Sequence, residues 1–264
     1  MSDAAPATDA VKKISAKDEW SDMFKTAMIA VVIALIIRTF LFEPFNIPSS
    51  SMRPTLLVGD YLFVSKYEYG YSRYSFPFGV GGFDGRIMGK VPQRGDVIVF
   101  KKPTDTSIDY IKRVVALPGE TVQMIGGRLY INDERVEREA IGMKEYVGDN
   151  GGRVKVHHYI ETLPGGILHD IYEVKDNDML DNTVKYRVPA GHVFAMGDNR
   201  DNSQDSRVQS QVGYIPVENI VGKAQRLFFS TNGKARIYEI WKWPSSIRFS
   251  RMFDSIGPIR PAEK

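Results

Sequence analysis

The residues of this chain that could carry out chemistry are serines and lysines. The stretch NIPSSSMRPTLL (46–57) holds three consecutive serines, and a serine hydroxyl becomes a nucleophile when a neighbouring base removes its proton. A lysine is such a base if burial lowers its pKa from about 10.4 to about 7–8, which requires roughly 4 kcal/mol of desolvation. Lys112, in DYIKRVVALPGE (109–120), lies beside an apolar run and is a candidate, with Lys66 as a rival on the same grounds.

The strand pattern around Lys112 suits such a base. Successive side chains of a β-strand point to opposite faces, so Lys112 shares a face with Tyr110 and Val114, while Ile111 and Arg113 lie on the other. Because most strand lysines face solvent, this pattern alone does not identify the base.

Other catalytic patterns are mostly absent. The chain has no GxSxG, HExxH, Walker or GxGxxG motif. None of its four histidines has a distinctive local setting, which leaves a Ser-His-Asp triad open. His157 and His158 are adjacent in a predicted strand and point to opposite faces, so shared metal ligation is not expected.

A polar run, GDNRDNSQDSR (197–207), invites a calcium-loop interpretation. An EF-hand loop starting at Asp201 requires Gly at position 206 and Glu at 212, but the chain has Ser206 and Val212. We therefore predict no metal site. The run fits either a solvated loop or a rigid loop whose side chains cap backbone groups.

Composition restricts the class of protein. The 264 residues are 43% hydrophobic and 25% charged, as in globular proteins. The 35 basic and 32 acidic residues nearly balance, and no basic block occurs, so nucleic acid is not a predicted partner. The absence of cysteine excludes disulfides, cysteine zinc sites and a cysteine nucleophile.

One apolar segment predicts a transmembrane anchor at 23–42. A helix of that length spans about 30 Å, enough for a bilayer core. A buried core helix and a cleaved signal peptide are the alternatives. Against the signal peptide, a largely polar tail (1–22) precedes the run and the bulky RTFLFEPF (38–45) follows it. Basic residues favour the side before the span, so we predict a cytoplasmic tail and an extracytoplasmic domain at 43–264.

From Pro44 onward, short β-type runs alternate with turn signals, which predicts a mainly β domain. Two regions look like additions to it. The aromatic- and glycine-rich loop at 67–90 fits either packing over the core or contact with a membrane face. The tryptophan-rich segment at 237–256 has helix-like apolar spacing beyond Pro244, and membrane contact and core packing stay equally open there.

Four stretches in this order after a single apolar span resemble the bacterial type I signal peptidases (leader peptidases). These stretches are IPSSSMRPTLLVGDYLFVSKYEYG, RGDVIVF, DYIKRVVALPGE and GDNRDNSQDSR followed by GYIP. The resemblance implies a membrane-anchored serine endopeptidase with a coiled β-sheet domain and no metal or cofactor. It also implies that the partners are signal peptides of secretory preproteins, cut after small-x-small sites, and the lipid bilayer, close to the secretion translocon. The implied location is the bacterial inner (cytoplasmic) membrane, with the catalytic domain on the periplasmic or outer face.

Matching the family's motifs residue by residue implies roles for ten positions. Ser51 is the nucleophile and Lys112 the general base, and Ser49 forms the oxyanion hole with the backbone N–H of Ser51. Ser203 orients the lysine. Asp205 and Arg207 form a structural ion pair, and Ile47, Leu56, Tyr110 and Ile111 line the substrate pocket.

The segment's geometry agrees with these roles. On an extended backbone Ser49 and Ser51 face one side, while Ser50 points away as a spacer. The chain departs from the family pattern in three places: Ser50 replaces a frequent glycine, one span replaces two, and the cysteines of some relatives are missing.

Two rival functions predict other features. A self-processing repressor with a Ser-Lys pair would need an N-terminal DNA-binding domain, which the short tail cannot provide. A non-enzymatic, membrane-tethered β-domain that serves as an adaptor would not need Ser51 or Lys112.

Overall fold

The structure is a computed structural model that describes residues 16–76, 82–233 and 239–259, with the side chains of 16–19 left out. Most of the predicted cytoplasmic tail, five residues of the aromatic loop and the first two residues of the tryptophan-rich segment lie outside the described residues.

The first element is a long apolar helix, α1 (Ala16–Phe40). Its stretch Trp20–Phe40 has a mean hydropathy of 2.0 and is only 6% buried against the described protein. A helix whose side chains are so exposed is not a buried core helix. The buried-core alternative to the anchor is therefore excluded. The helix ends before the predicted end of the anchor because Phe42 already pairs with Ser65 in a sheet.

The rest of the described chain is built mainly from short strands, as the sequence predicted. In chain order the strands are β1 (Phe42–Asn46), β2 (Asp60–Ser65), β3 (Val97–Lys102), β4 (Asp105–Ala116), β5 (Thr121–Ile125), β6 (Arg128–Ile131), β7 (Glu134–Arg135), β8 (Glu137–Val147), β9 (Arg153–Leu163), β10 (Ile167–Glu173), β11 (Tyr186–Arg187), β12 (His192–Met196), β13 (Ile215–Pro216) and β14 (Ile220–Ser230). A second helix, α2 (Trp243–Ser246), is a single turn.

These strands form three antiparallel sheets. The largest has the order β1-β2-β14-β3-β4-β12-β13, the second β10-β9-β8 and the third β11-β5-β6-β7. Although β1 and β4 are separated by three strands in the large sheet, residues of both line one groove. The large sheet is therefore strongly coiled, as the resemblance implied.

Three clusters of buried apolar side chains hold these sheets together. The cluster that supports the serine segment contains Met52 and Leu56, both fully buried, packed with residues of the large sheet such as Leu62 and Val64. The serines therefore lie on a loop whose two ends are fixed: one by β1 and the other by the core.

The aromatic loop packs against protein in its described part. The Tyr69 hydroxyl donates to Asp96 at 2.8 Å and its ring is buried. Tyr71 and Phe76 lie edge-on to Phe40 at the end of α1, with ring centroids 5.6 and 6.1 Å away. The loop thus braces the helix against the β-domain.

The tryptophan-rich segment is α-helical only over Trp243–Ser246, so the helix-like apolar spacing beyond Pro244 did not correspond to a longer α-helix. After α2 the backbone bonds to β14 instead: the N–H of Arg248 donates to Ser230 and that of Phe253 to Leu227. Helix-like spacing of apolar residues did not decide the conformation, because backbone N–H groups of this segment donate to carbonyl groups of β14 instead of forming a helix. Trp241 and Phe253 stay exposed there, at 70% and 66%.

Candidate active site

Ser51 and Lys112 meet in a buried cleft. Lys112 Nζ donates to Ser51 Oγ at 2.8 Å and to the carbonyl of Ile111 at 2.9 Å. Strand β4 supplies the lysine, and the loop between β1 and β2 supplies the serine. Both residues are less than 9% exposed.

The environment of Lys112 favours the neutral amine. Burial lowers the pKa of Lys112 to about 8, although the negative charges of Asp205 and Asp198 act to raise it. Arg207 acts in the opposite direction and helps to lower this pKa. In the part of the chain that the structure covers, no carboxylate forms an ion pair with this lysine.

Burial lowers the pKa of Lys66, the rival candidate, as well, although the hydrogen bond and the charge of Glu43 act to raise it. Lys66 lies 2.8 Å from the Glu43 carboxylate and donates to the carbonyl of Ser75 at 2.7 Å. A lysine paired in this way does not provide a free base. Lys112 is therefore the lysine whose surroundings suit proton abstraction.

Ser49 and Ser51 converge as expected, although the backbone does so in another conformation. Their Oγ atoms are 3.4 Å apart. Residues 49–55, the nucleophile loop, form bends and turns rather than an extended strand. Ser50 is consequently not a spacer that points away: it is fully buried, and its hydroxyl donates to Asp149 Oδ2 at 3.0 Å.

The peptide group between Ser50 and Ser51 is fixed through its carbonyl. The Ser50 oxygen accepts from Asn199 Nδ2 at 3.0 Å and from the N–H of Arg53 at 3.1 Å. Since a trans peptide is planar, its N–H points away from this carbonyl. The Ser51 N–H has no acceptor among the residues that the structure describes, so it is free to bind an oxyanion.

The loop that carries Ser203 is braced by a buried ion pair. Asp205 and Arg207 lie 2.9 Å apart and both side chains are fully buried. Burial raises the pKa of Asp205, but Arg207 and the N–H of Gly197 outweigh it and hold this pKa below its ordinary value. The geometry matches the predicted ion pair.

Ser203 lies in the same cleft as Lys112 but makes no hydrogen bond to it. Its hydroxyl packs over Gly197 so closely that a Cβ there would lie 2.2 Å from Ser203 Oγ and 2.6 Å from the carbonyl oxygen of Ser51. The absence of a side chain at position 197 thus allows the two loops to approach. The lysine-orienting role of Ser203 stays a prediction.

Two groups beside Ser51 and Lys112 were not predicted from the sequence. Arg113 and Asp198 form a second fully buried ion pair at 2.7 Å, and Thr55 donates to the same carboxylate at 2.6 Å. Asn199 was missed as well. Their positions in the sequence were the available signal. Arg113 directly follows Lys112, and Asp198 and Asn199 belong to the GDN run.

Two adjoining depressions flank the serines. The active-site cleft is lined by Ser49, Ser51, Tyr110, Ile111, Lys112 and Ser203, and none of the four histidines lines it. The side-chain groove beside it is lined by Phe45, Ile47, Pro48, Val99, Tyr110 and Ile111. Leu56 lines neither, because its side chain is fully buried in the core. Leu56 therefore supports the nucleophile loop from within the core and does not face a substrate.

An acidic cluster of three carboxylates has the chemistry of a cation site. Glu173, Asp181 and Asp201 bring carboxylate oxygens within 4.8 Å of one another. Arg138 already bonds to Glu173 and supplies positive charge there. The cluster contains neither Ser51 nor Lys112, although its member Asp201 also lines the active-site cleft.

Comparisons with known proteins identify the family of this chain. The model of the family described as "Signal peptidase, peptidase S26" matches residues 20–229. Signal peptidase I of Rickettsia typhi is 42% identical over 250 residues, covering 88% of this chain and 92% of that protein. Signal peptidase I of Rickettsia conorii is 41% identical over 259 residues, covering 92% and 94%.

A solved structure of a signal peptidase I from Enterococcus faecalis is 28% identical and covers 51% of this chain and 97% of its own, with a TM-score of 0.30. The match to the family and to the two relatives extends over most of the chain and confirms the resemblance and the prediction of an enzyme. The chain belongs to the signal peptidase family of peptidases, peptidase S26.

Proposed function

We propose that this protein is a membrane-anchored endopeptidase that removes signal peptides from exported preproteins, with Ser51 as nucleophile and Lys112 as general base. The observation that carries the proposal is the 2.8 Å contact between Ser51 Oγ and Lys112 Nζ in a site that lowers the pKa of the lysine to about 8. Family membership supports the same reaction, since the curated relatives are called signal peptidase I.

The geometry supports a stepwise mechanism. Neutral Lys112 takes the Ser51 proton as Oγ attacks the scissile carbonyl, and the oxyanion is stabilised by the Ser51 N–H and the Ser49 hydroxyl. Lys112 then gives the proton to the leaving amine, and an acyl-enzyme on Ser51 is left. A water molecule, deprotonated by Lys112, hydrolyses this ester and releases the signal peptide.

The side-chain groove accounts for small residues before the cut. Phe45, Ile47, Tyr110 and Ile111 give this groove apolar and aromatic walls. We infer that it takes small apolar side chains, such as that of Ala, next to the nucleophile. This supports cleavage after small-x-small sites.

The anchor places the reaction at a membrane. Helix α1 leads directly into β1, whose end lies two residues before Pro48, so the nucleophile loop follows the anchor closely along the chain. Exposed aromatic residues occur on β2 and in the tryptophan-rich segment, among them Phe63, Trp241 and Phe249. We infer that they face the bilayer. The positive-inside bias supports a cytoplasmic N-terminus in a bacterial inner membrane, and closeness to the translocon stays a prediction.

A cleavage assay tests the function. The full chain in detergent is incubated with a precursor that carries an Ala-x-Ala site, and Ser51→Ala and Lys112→Ala are compared with wild type. Both variants should lose processing. Exposed Ser245→Ala and Lys90→Ala serve as matched controls and should retain it. Equal processing by all five proteins, or cleavage abolished by EDTA, would contradict the proposed dyad.

A further inference from the structure

Ser50 lies between Ser49, the proposed oxyanion donor, and Ser51, the proposed nucleophile. Its hydrogen bonds connect three separate parts of the chain: the nucleophile loop, the β8–β9 hairpin and the loop that carries Asn202. Its hydroxyl donates to Asp149 Oδ2 at 3.0 Å and accepts from Asn202 Nδ2 at 2.5 Å. Its backbone N–H also donates to Asp149 Oδ2, at 3.3 Å. The side chain is fully buried, so water cannot replace these partners.

We propose that Ser50 and Asp149 are positioning residues that set the oxyanion hole. The proposal rests on the proposed function, because it concerns the same reaction. Asp149 belongs to the turn of the β8–β9 hairpin, which is 99 residues away from Ser50 in sequence. The tip of this hairpin therefore holds the nucleophile loop through the hydrogen bonds of Asp149.

A second contact brings the hairpin to the same place. Tyr146 is buried near the end of β8, and its hydroxyl accepts from Asn199 Nδ2 at 2.7 Å. The guanidinium of Arg53 lies 4.7 Å from the centre of the Tyr146 ring. The hairpin therefore contacts the nucleophile loop through Tyr146 as well as through Asp149, and its tip has a defined position.

These contacts act on the groups that bind the oxyanion. Asp149 holds the N–H side of Ser50, while Asn199 holds its carbonyl. Rotation of the Ser50 backbone would move the Ser51 N–H and the Ser49 hydroxyl relative to each other. Because both donors must point to the same oxygen, a fixed Ser50 stabilises the transition state more than the bound substrate. Asp149 borders the active-site cleft, but the side-chain groove is lined by other residues, so KM should change little.

Steady-state kinetics of the full chain in detergent test this role, with a precursor peptide that carries an Ala-x-Ala site. Asp149→Ala and Ser50→Ala should each lower kcat about tenfold, as expected for a lost hydrogen bond to a charged group, with KM within about twofold of wild type. The double variant should lose little more than either single variant, because both changes break the same contact. Asp149→Asn should retain most of the activity, since its amide oxygen still accepts a hydrogen bond.

The hairpin tip offers a matched control. Asn150 is exposed in the same turn, and its side chain accepts from the N–H of Gly152 rather than from the nucleophile loop. Asn150→Ala should keep the kcat of wild type. Asp149 is also exposed, so its replacement should leave the melting temperature of the domain unchanged and the acid limb of the pH–rate profile, which belongs to Lys112, in place.

Three results would overturn the proposal: wild-type kcat in both alanine variants, a loss confined to KM, or a kcat loss that follows a matching fall in melting temperature. Failure of the proposed function itself is recognised separately. If Ser51→Ala and Lys112→Ala still cleave the precursor, the dyad is wrong. If those two are inactive while Ser50→Ala and Asp149→Ala match wild type, only the positioning role is wrong.

Discussion

The lowered pKa of Lys112 should be visible in the stability of the protein as well as in its activity. In the folded state this pKa is about 8 because the amine is buried, whereas in an unfolded chain a lysine titrates at about 10.4. Between these two values the unfolded chain binds the additional proton, so the stability of wild type rises with pH. The difference of about 2.4 pH units, at about 1.36 kcal/mol per unit, corresponds to about 3 kcal/mol.

Lys112→Met removes this proton-linked cost. The free energy of unfolding of the variant minus that of wild type should be largest below about pH 8 and should decrease by about 3 kcal/mol towards about pH 10.5. The lost hydrogen bond to Ser51 and the different packing of methionine shift the whole difference by a constant, because neither depends on pH. Other titrating groups are common to both proteins and cancel.

Urea unfolding of the full chain in detergent, followed by the β-sheet signal in far-ultraviolet circular dichroism at a series of pH values, measures this difference. Ser51→Ala is the matched control: it is also inactive but keeps the buried lysine, so its pH dependence should follow that of wild type. A difference between Lys112→Met and wild type that stays constant with pH would refute the lowered pKa, and with it the assignment of Lys112 as a base near neutral pH.

Three further predictions concern the same site. The kcat/KM of wild type should fall about tenfold per pH unit below about pH 8, since only neutral Lys112 accepts a proton, and a profile that is flat down to about pH 6 would contradict this. Gly197→Ala should displace Ser203, lower kcat and reduce stability by about 1–3 kcal/mol; kinetics and thermal unfolding check this, and full activity would argue against the close approach. Asp205→Asn leaves Arg207 buried without its carboxylate and should reduce stability by about 3–5 kcal/mol in urea unfolding, and a loss below about 1 kcal/mol would count against the pair.

Local patterns predicted the parts of the molecule that depend on neighbours in sequence. Alternation along the strand placed Tyr110 and Val114 on one face and Ile111 on the other, and in the structure the first two pack in one apolar cluster while Ile111 packs against another. The apolar run predicted α1, and turn signals predicted a mainly β domain. The helix end was less accurate because the pairing of Phe42 with Ser65 is a tertiary contact.

The same reasoning failed where distant segments decide the structure. The three serines alone suggest an extended segment with Ser50 pointing away. In the folded protein the partners of Ser50 are Asp149 and Asn202, which are 99 and 152 residues further along the chain. No spacing rule connects such residues. The conformation of the nucleophile loop therefore depends on its contact with the β8–β9 hairpin. A single sequence does not reveal this contact.

The two buried ion pairs explain how one fold can lower the pKa of a lysine that lies near several charges. Asp205 and Asp198 both act to raise the pKa of Lys112, and either one unpaired would attract its proton. Each carboxylate instead receives an arginine of its own, Arg207 and Arg113, at hydrogen-bond distance. The nearest charges then act on the lysine as ion pairs with little net charge, so desolvation is the dominant effect on its pKa. A base made by burial thus requires that its charged neighbours be paired with one another, which is why the lysine proposed as the base lies near two arginine–aspartate pairs rather than beside a single acid.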